Sequence, residues 1–257
     1  MVGSLADNRT PTTHEVTAVI QARMSSNRLP GKVLLPLGEK LVLDWVLDAV
    51  ERSNTIDKII LATSSDSSDD PIQEYAELRG VDCFRGSLDD VLGRFVGAVE
   101  KFAPETAAVV RITADCPLLD FELLDLVVDS WLNSKSIDYV STALTRWLPR
   151  GMDAELITTE ALKRLNELAQ DYHRTHVTSY AYSHPELFSL LEVTDTSNYS
   201  KFRVTLDTKE DYELIKEVVL ELEGLTPSLE AIVDILVKHP ELVKINSEIA
   251  QKKLAEG

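Results

Sequence analysis

Residues 16–21 (VTAVIQ) form a β-branched apolar run that predicts a first strand. A loop of Ser, Arg, Pro and Gly follows over 22–32, and then Val42, Leu43, Val46, Leu47 and Val50 recur at helical spacing. Residues 58–63 (KIILAT) predict a second buried strand, ended by the polar run 64–70. Residues 72–79 read as a helix stopped by Gly80, with a short strand at 81–84. Ser87, with Asp90 three residues on, resembles a helix-opening box. The helix it opens would bury Val91, Leu92, Phe95, Val99 and Phe102. Residues 107–113 (AAVVRIT) predict another buried strand, broken by Asp115-Cys116-Pro117. A helix at 122–132 then leads into a strand at 138–141.

Strict alternation of strand and helix predicts an α/β domain with a mainly parallel sheet and helices on both faces. After Pro149 the pattern loosens. A helix at 159–169 precedes residues 172–184, dense in His, Tyr and Ser, and strands are expected at 188–193 and 202–206. A helix over 210–222 and a helical tail over 228–254, interrupted at His239-Pro240, complete the reading. The expected organisation is a flexible N-terminal tail over 1–15, an α/β domain over 16–225 and a C-terminal helical extension over 226–257.

Composition narrows the function classes. Apolar residues make up 44% of the 257, enough for a buried core, and no apolar run approaches the ~20 residues of a membrane helix. The first 15 residues lack a basic start followed by an apolar stretch, so no signal peptide is expected. Two cysteines, Cys83 and Cys116, suggest neither a disulfide framework nor a zinc site, and fit a reducing cytoplasm. A net charge of −17 argues against a nucleic-acid backbone as partner.

Against that acidic background the cations Arg23, Arg28 and Lys32 stand out, grouped with Ser25 and Ser26 in the loop after the first strand. Open parallel sheets bind ligands at this carboxyl edge. Three cations can neutralise a triphosphate, and Pro30-Gly31 lets the backbone turn close to it. A solvated basic loop would have the same composition. Asp115 and Asp207 each follow a predicted strand, so their carboxylates can converge on one cation, an arrangement Mg²⁺ favours. Either could instead cap a turn. Asp89 and Asp90 suit a helix start. Asp153 and Glu155 alternate along an extended stretch, which puts them on opposite faces unless the backbone twists.

Residues 20–32 (IQARMSSNRLPGK) closely resemble the opening signature of the cytidylyltransferase family, which includes the CMP-Kdo and CMP-sialic acid synthetases. The spore-coat polysaccharide branch, which also begins Gln-Ala-Arg, is the nearest. Co-linear matches follow at Arg85-Gly86-Ser87, Asp89-Asp90-Val91-Leu92, Arg111 to Leu118, Gly151 to Glu155, His176-Val177-Thr178, Thr205 to Thr208 and His239 to Leu242. The resemblance spans roughly residues 16 to 252. It implies a Rossmann-like, nucleotide-diphospho-sugar transferase (GT-A-like) fold and transfer of CMP from CTP to a small anionic acceptor. It further implies Arg23, Lys32, Asp115 and Asp207 as catalytic residues, with Mg²⁺ held by Asp115 and Asp207. Gln21, Ala22, Arg23, Ser26, Arg28, Lys32, Arg85 and Asp115 would bind the nucleotide. Asp153, Glu155 and His176 would meet the acceptor. A homodimer joined through residues 145–185 is expected.

The sequence departs from the family pattern at several positions, and a departure beside His176 is expected where acceptors differ. Thr175 stands where a glutamate is usual, and Cys116 replaces the glutamate of the CMP-Kdo branch, which argues against Kdo as acceptor. Ala114 replaces a glycine, and Gly38-Glu39-Lys40 replaces Gly-Lys-Pro. A nucleotide-sugar-dependent glycosyltransferase would share the sheet and the acids, but a cationic cradle on the first strand suits a free triphosphate. A catalytically silent homologue would not be expected to keep both aspartates and all three loop cations.

Overall fold

The computed structural model describes residues 14–250. The N-terminal tail expected over 1–15 therefore lies almost wholly outside the described residues. The chain runs β1 (Val16–Gln21), a 3-10 turn (Lys32–Leu34), a ribbon of β2 (Pro36–Leu37) and β3 (Lys40–Leu41), and α1 (Val42–Arg52). Strict alternation follows with β4 (Lys58–Ser64), α2 (Asp70–Arg79), β5 (Asp82–Gly86), α3 (Val91–Phe102) and β6 (Ala108–Thr113). Next come α4 (Phe121–Leu132), β7 (Tyr139–Ser141), β8 (Glu155–Thr158) and α5 (Thr159–Leu168). Short helices α6 (Tyr172–Thr175) and α7 (Ser179–Ser183) lead to β9 (Leu190–Glu192). Helices α8 (Lys209–Glu221), α9 (Leu229–Lys238) and α10 (Pro240–Ile245) end the described chain.

Seven strands form the main sheet in the order β5-β4-β1-β6-β8-β7-β9. β1 is parallel to both β4 and β6, and its side chains alternate between two cores. Ala18 and Ile20 join α1, α4, α8 and α9, whereas Val19 joins α3 and α5. Burial on both faces explains why the early strands read as continuous apolar runs.

Three features depart from the sequence reading. First, β8 inserts antiparallel between β6 and β7, so Glu155 lies across from Arg111. Second, residues 202–206 are extended but do not enter the sheet. With β8 occupying the edge of β6, this segment is strapped to the loop before β8 and to the turn after β6 instead. Arg150 N donates to Phe202 O (2.9 Å), Val204 N to Arg150 O (2.7 Å) and Leu206 N to Asp115 O (2.8 Å). The opening of α3 is also redefined, because Asp90 rather than Ser87 is the cap and accepts from Gly93 N at 2.9 Å. A fork from Arg174 clamps that same carboxylate, Nε at 2.9 Å and Nη2 at 2.6 Å.

Candidate active site

The loop after β1 is held by bonds that leave Arg23 exposed and turn Lys32 inward. Gly31 sits in the left-handed region (φ 71°) and donates to Met24 O at 2.9 Å, closing the loop. Leu29 and Val33 anchor it in the core. The buried Asp69 pins the other end, accepting from Met24 N (2.6 Å) and from Ser64 Oγ (2.5 Å). Ser26 Oγ accepts from Leu29 N at 3.3 Å. Ala22 N donates to Ala62 O at 3.1 Å, which continues the β1–β4 pairing up to the loop. Arg23 remains exposed.

The loop's last residue organises the centre. Lys32, only 8% exposed, places its Nζ 2.5 Å from Asp115 Oδ2 and 2.6 Å from Asp207 Oδ1. Burial pulls this ammonium down, but the two carboxylates outweigh it and the net shift is upward. Burial likewise pushes Asp207 up, and Lys32, Arg28 and Arg203 together hold it below the usual carboxylate range. Arg28 Nη2 lies 3.0 Å and Arg203 Nη2 3.3 Å from Asp207 Oδ2. Arg203 is in turn forked onto the fully buried Asp211, at 2.8 and 2.9 Å. Asp211 also accepts from Asp207 N and Thr208 N, each at 3.0 Å, so the start of α8 fixes the Asp207 backbone.

A cavity of about 230 Å³ opens beside these aspartates, with Arg111, Cys116, Arg150, Asp153, Glu155 and Asp207 in its wall. Asp153 and Glu155 share it, which corrects the opposite faces expected from the sequence: residues two apart in an extended segment lie on one face. Arg111 Nη1 donates to Glu155 Oε2 at 3.1 Å, and Thr178 Oγ1 donates to the same oxygen at 2.9 Å. Burial raises the Asp153 carboxyl even though Arg146 bonds both its oxygens, at 2.6 and 2.9 Å. Arg150 is pulled down by burial and then by the charge of Arg146. Cys116 is pushed up to about 12 by burial and by Asp115, so it is a neutral thiol and no nucleophile.

Other residues singled out in the sequence stand apart. Arg85 braces the β4–α2 connection through Ser64 O (2.8 Å), Asp66 O (2.7 Å), Asp70 (2.6 Å) and Gln73 (2.9 Å). His176, between α6 and α7, is not in the cavity wall. His173 packs among Tyr172, Tyr180 and His184 and bonds Ser179 Oγ at 2.8 Å. Sequence reading missed Arg111, Arg146, Arg150 and Arg203 as site residues. For Arg111 the signal was available: a cation inside an apolar strand requires a partner or a task.

Residues 17–249 match the family model described as cytidylyltransferase. Spore coat polysaccharide biosynthesis protein SpsF of Bacillus subtilis is 34% identical, over 89% of this chain and 96% of its own. The chain belongs to the cytidylyltransferase family. An uncharacterised protein of Methanocaldococcus jannaschii is 36% identical over 94% of this chain and 98% of its own length. A solved cytidylyltransferase from Leptospira borgpetersenii superposes with a TM-score of 0.85 at 32% identity, covering 93% of this chain and 100% of that one. The family's fold accounts for the basic loop and both aspartates lying at the carboxyl edge. No helix among the described residues is long and apolar enough to cross a membrane.

Proposed function

We propose that this chain transfers CMP from CTP to an acidic sugar, a sugar phosphate or a related anionic acceptor, releasing pyrophosphate, in polysaccharide or related biosynthesis. The observation that carries this reading is the convergence of Asp115 and Asp207 on one buried cation, between a basic loop and an arginine-walled cavity. An acceptor oxygen would attack the α-phosphorus of CTP as the bond to the β-phosphate breaks. Arg23 and Arg28 would compensate the charge that builds on the departing pyrophosphate. Lys32 couples the loop to the reaction centre. Positioning and electrostatics then carry the rate. The wall of the neighbouring cavity suits the acceptor: Arg111 and Arg150 meet its anionic group, and Asp153 and Glu155 accept from its hydroxyls. The role of the Bacillus relative in spore coat polysaccharide biosynthesis supports a sugar derivative among the acceptors.

The donor set also suits Mg²⁺. Asp115 and Asp207 already share one cation, and Mg²⁺ takes one or two carboxylates with water and phosphate oxygens. Among the described residues no group of three or more His, Cys, Asp or Glu side chains forms a metal cage, so the remaining ligands would come from the nucleotide and water. When bound, the ion supplies Lewis-acid charge at the α-phosphate. Self-association through residues 145–185 and a cytoplasmic setting, in keeping with two free thiols, complete the proposal.

The test is pyrophosphate release with each of the four NTPs, Mg²⁺ and a panel of acidic sugars, sugar phosphates and phosphonates. CTP-dependent release with one acceptor is expected. Asp115→Asn should lower kcat by roughly 10²-fold or more. An Asp115→Asn variant that keeps most of its turnover would refute the assigned centre.

A further inference from the structure

Lys32 and a divalent cation compete for the same oxygens. The lysine Nζ lies 2.5 Å from Asp115 Oδ2 and 2.6 Å from Asp207 Oδ1. The second oxygen of Asp207 is taken as well, by Arg28 Nη2 at 3.0 Å and Arg203 Nη2 at 3.3 Å. On Asp115 the remaining Oδ1 faces only a weak donor, the Cys116 thiol, at 3.8 Å. An ion that bridges the two acids must therefore take an Asp207 oxygen from one of the chain's own cations.

The three cations differ in how easily they yield. Arg203 is fixed by its fork onto the fully buried Asp211, which Asn246 Nδ2 also holds at 2.8 Å. Arg28 touches Asp207 alone, and its departure leaves Arg203 on the same oxygen. Lys32 holds both acids, so its departure frees one oxygen on each. Its backbone is set in the 3-10 turn, with Lys32 N on Leu29 O and Leu35 N on Lys32 O, each at 3.3 Å, while the four-carbon stem can swing. Charge decides when it does so. Lys32, Arg28 and Arg203 balance Asp115, Asp207 and Asp211 one for one. A divalent ion alone overloads that network and gives the displaced, largely buried ammonium no new anion. A triphosphate lying along the loop supplies one.

We propose that Lys32 keeps the two aspartates closed to free divalent cations and releases them when the phosphates of a nucleoside triphosphate receive its ammonium. Metal and nucleotide then enter the centre together, in either order neither being held firmly without the other. This inference rests on the cytidylyltransferase reading and deepens it, by giving one residue two successive partners and the site an order of assembly. Linkage makes the effect mutual: whatever factor the nucleotide adds to metal affinity, the metal adds to nucleotide affinity.

Equilibrium dialysis of Mn²⁺, with and without CTP, tests this on wild type, on Lys32→Met and on Lys32→Met combined with Asp207→Asn. Circular dichroism and Tm confirm that each variant folds. Wild type should retain Mn²⁺ roughly 10-fold or more tightly with CTP than without it. Lys32→Met should bind Mn²⁺ alone roughly 10-fold or more tightly than wild type does, and the added Asp207→Asn should abolish that gain. The wild-type comparison needs no variant, so the test survives a folding failure. Wild type that holds Mn²⁺ equally with and without CTP overturns the inference. So does a folded Lys32→Met with no gain, or a gain that survives Asp207→Asn and so lies elsewhere. If CTP-dependent pyrophosphate release persists in those cases, the transferase reading stands without it. Folded wild type that neither retains Mn²⁺ with CTP nor releases pyrophosphate defeats both.

Discussion

Gly151 carries a burden that its place between Arg150 and Asp153 does not advertise. At φ 103° it occupies backbone space that favours glycine, and a Cβ there would lie 2.5 Å from Thr205 N and 2.8 Å from Val204 C. These contacts are backbone, so neither side can yield by rotating a side chain. Gly151→Ala should cost roughly 2 kcal/mol or more in urea unfolding. Turnover should fall as well, because Gly151 sets the approach of the cavity wall to the segment bearing Asp207. An alanine variant with wild-type stability and turnover would show the close approach to be dispensable. Lys32 makes a related point about single residues. Its place in the motif implied a phosphate contact, but only the folded chain shows it held between two carboxylates.

Among elements, the β7–β9 edge of the sheet hangs on one acid. Asp138, just before β7, accepts from Ser189 N (2.9 Å), Ser189 Oγ (3.1 Å) and Arg164 Nη2 (3.0 Å), tying the entry to β9 and the helix α5 to one carboxylate. Burial pushes this carboxyl up, but the bonds from Ser189 and Arg164 outweigh it and hold it below the ordinary 3.8. Its folded value therefore lies below its unfolded one. Stability from the ionised form is complete above the unfolded value and drains away as pH falls through the folded value. Asp138→Asn should cost about 1–3 kcal/mol at neutral pH, and its gap from wild type should close in the acid range. Urea midpoints at both pH values check this, and a gap that does not change with pH would count against it. Elements with their own periodicity, such as α1, α3 and β1, were legible in the sequence. β8 was not: four residues between a loop and α5 carry too little pattern to reveal an antiparallel insertion. The segment 202–206 has the composition of a strand, yet it forms none because β8 already occupies the available edge.

At the scale of the molecule, the C-terminal helices and the site are one construction. Ile232, Val233 and Leu236 of α9 belong to the same core as β1 and α1. Leu229 N donates to Asp120, the cap of α4, at 2.7 Å. Asn246, after α10, donates from Nδ2 to Asp211 Oδ1 (2.8 Å) and to Arg203 O (3.1 Å), closing the network behind Asp207. Asn246→Ala should lower stability by about 1–2 kcal/mol, since it removes a bond to a buried carboxylate. It should also reduce kcat severalfold while leaving CTP affinity nearly unchanged, as measured by calorimetry beside a pyrophosphate assay. An equal loss in both would place Asn246 in nucleotide binding instead.

The sequence by itself determined the alternation of strand and helix, the two-faced parallel sheet and the basic loop on its first strand. Each of these is written in local periodicity or in a contiguous motif. Tertiary structure alone decided that Lys32 meets Asp115 and Asp207, which lie 83 and 175 residues away. It also paired Glu155 with Arg111 through an antiparallel strand and left Nε and Nη1 of Arg94 buried with no hydrogen-bond partner among the described residues. The physical reason is that charge pairing and burial depend on which distant surfaces meet, and no local pattern of apolar and polar positions encodes that meeting.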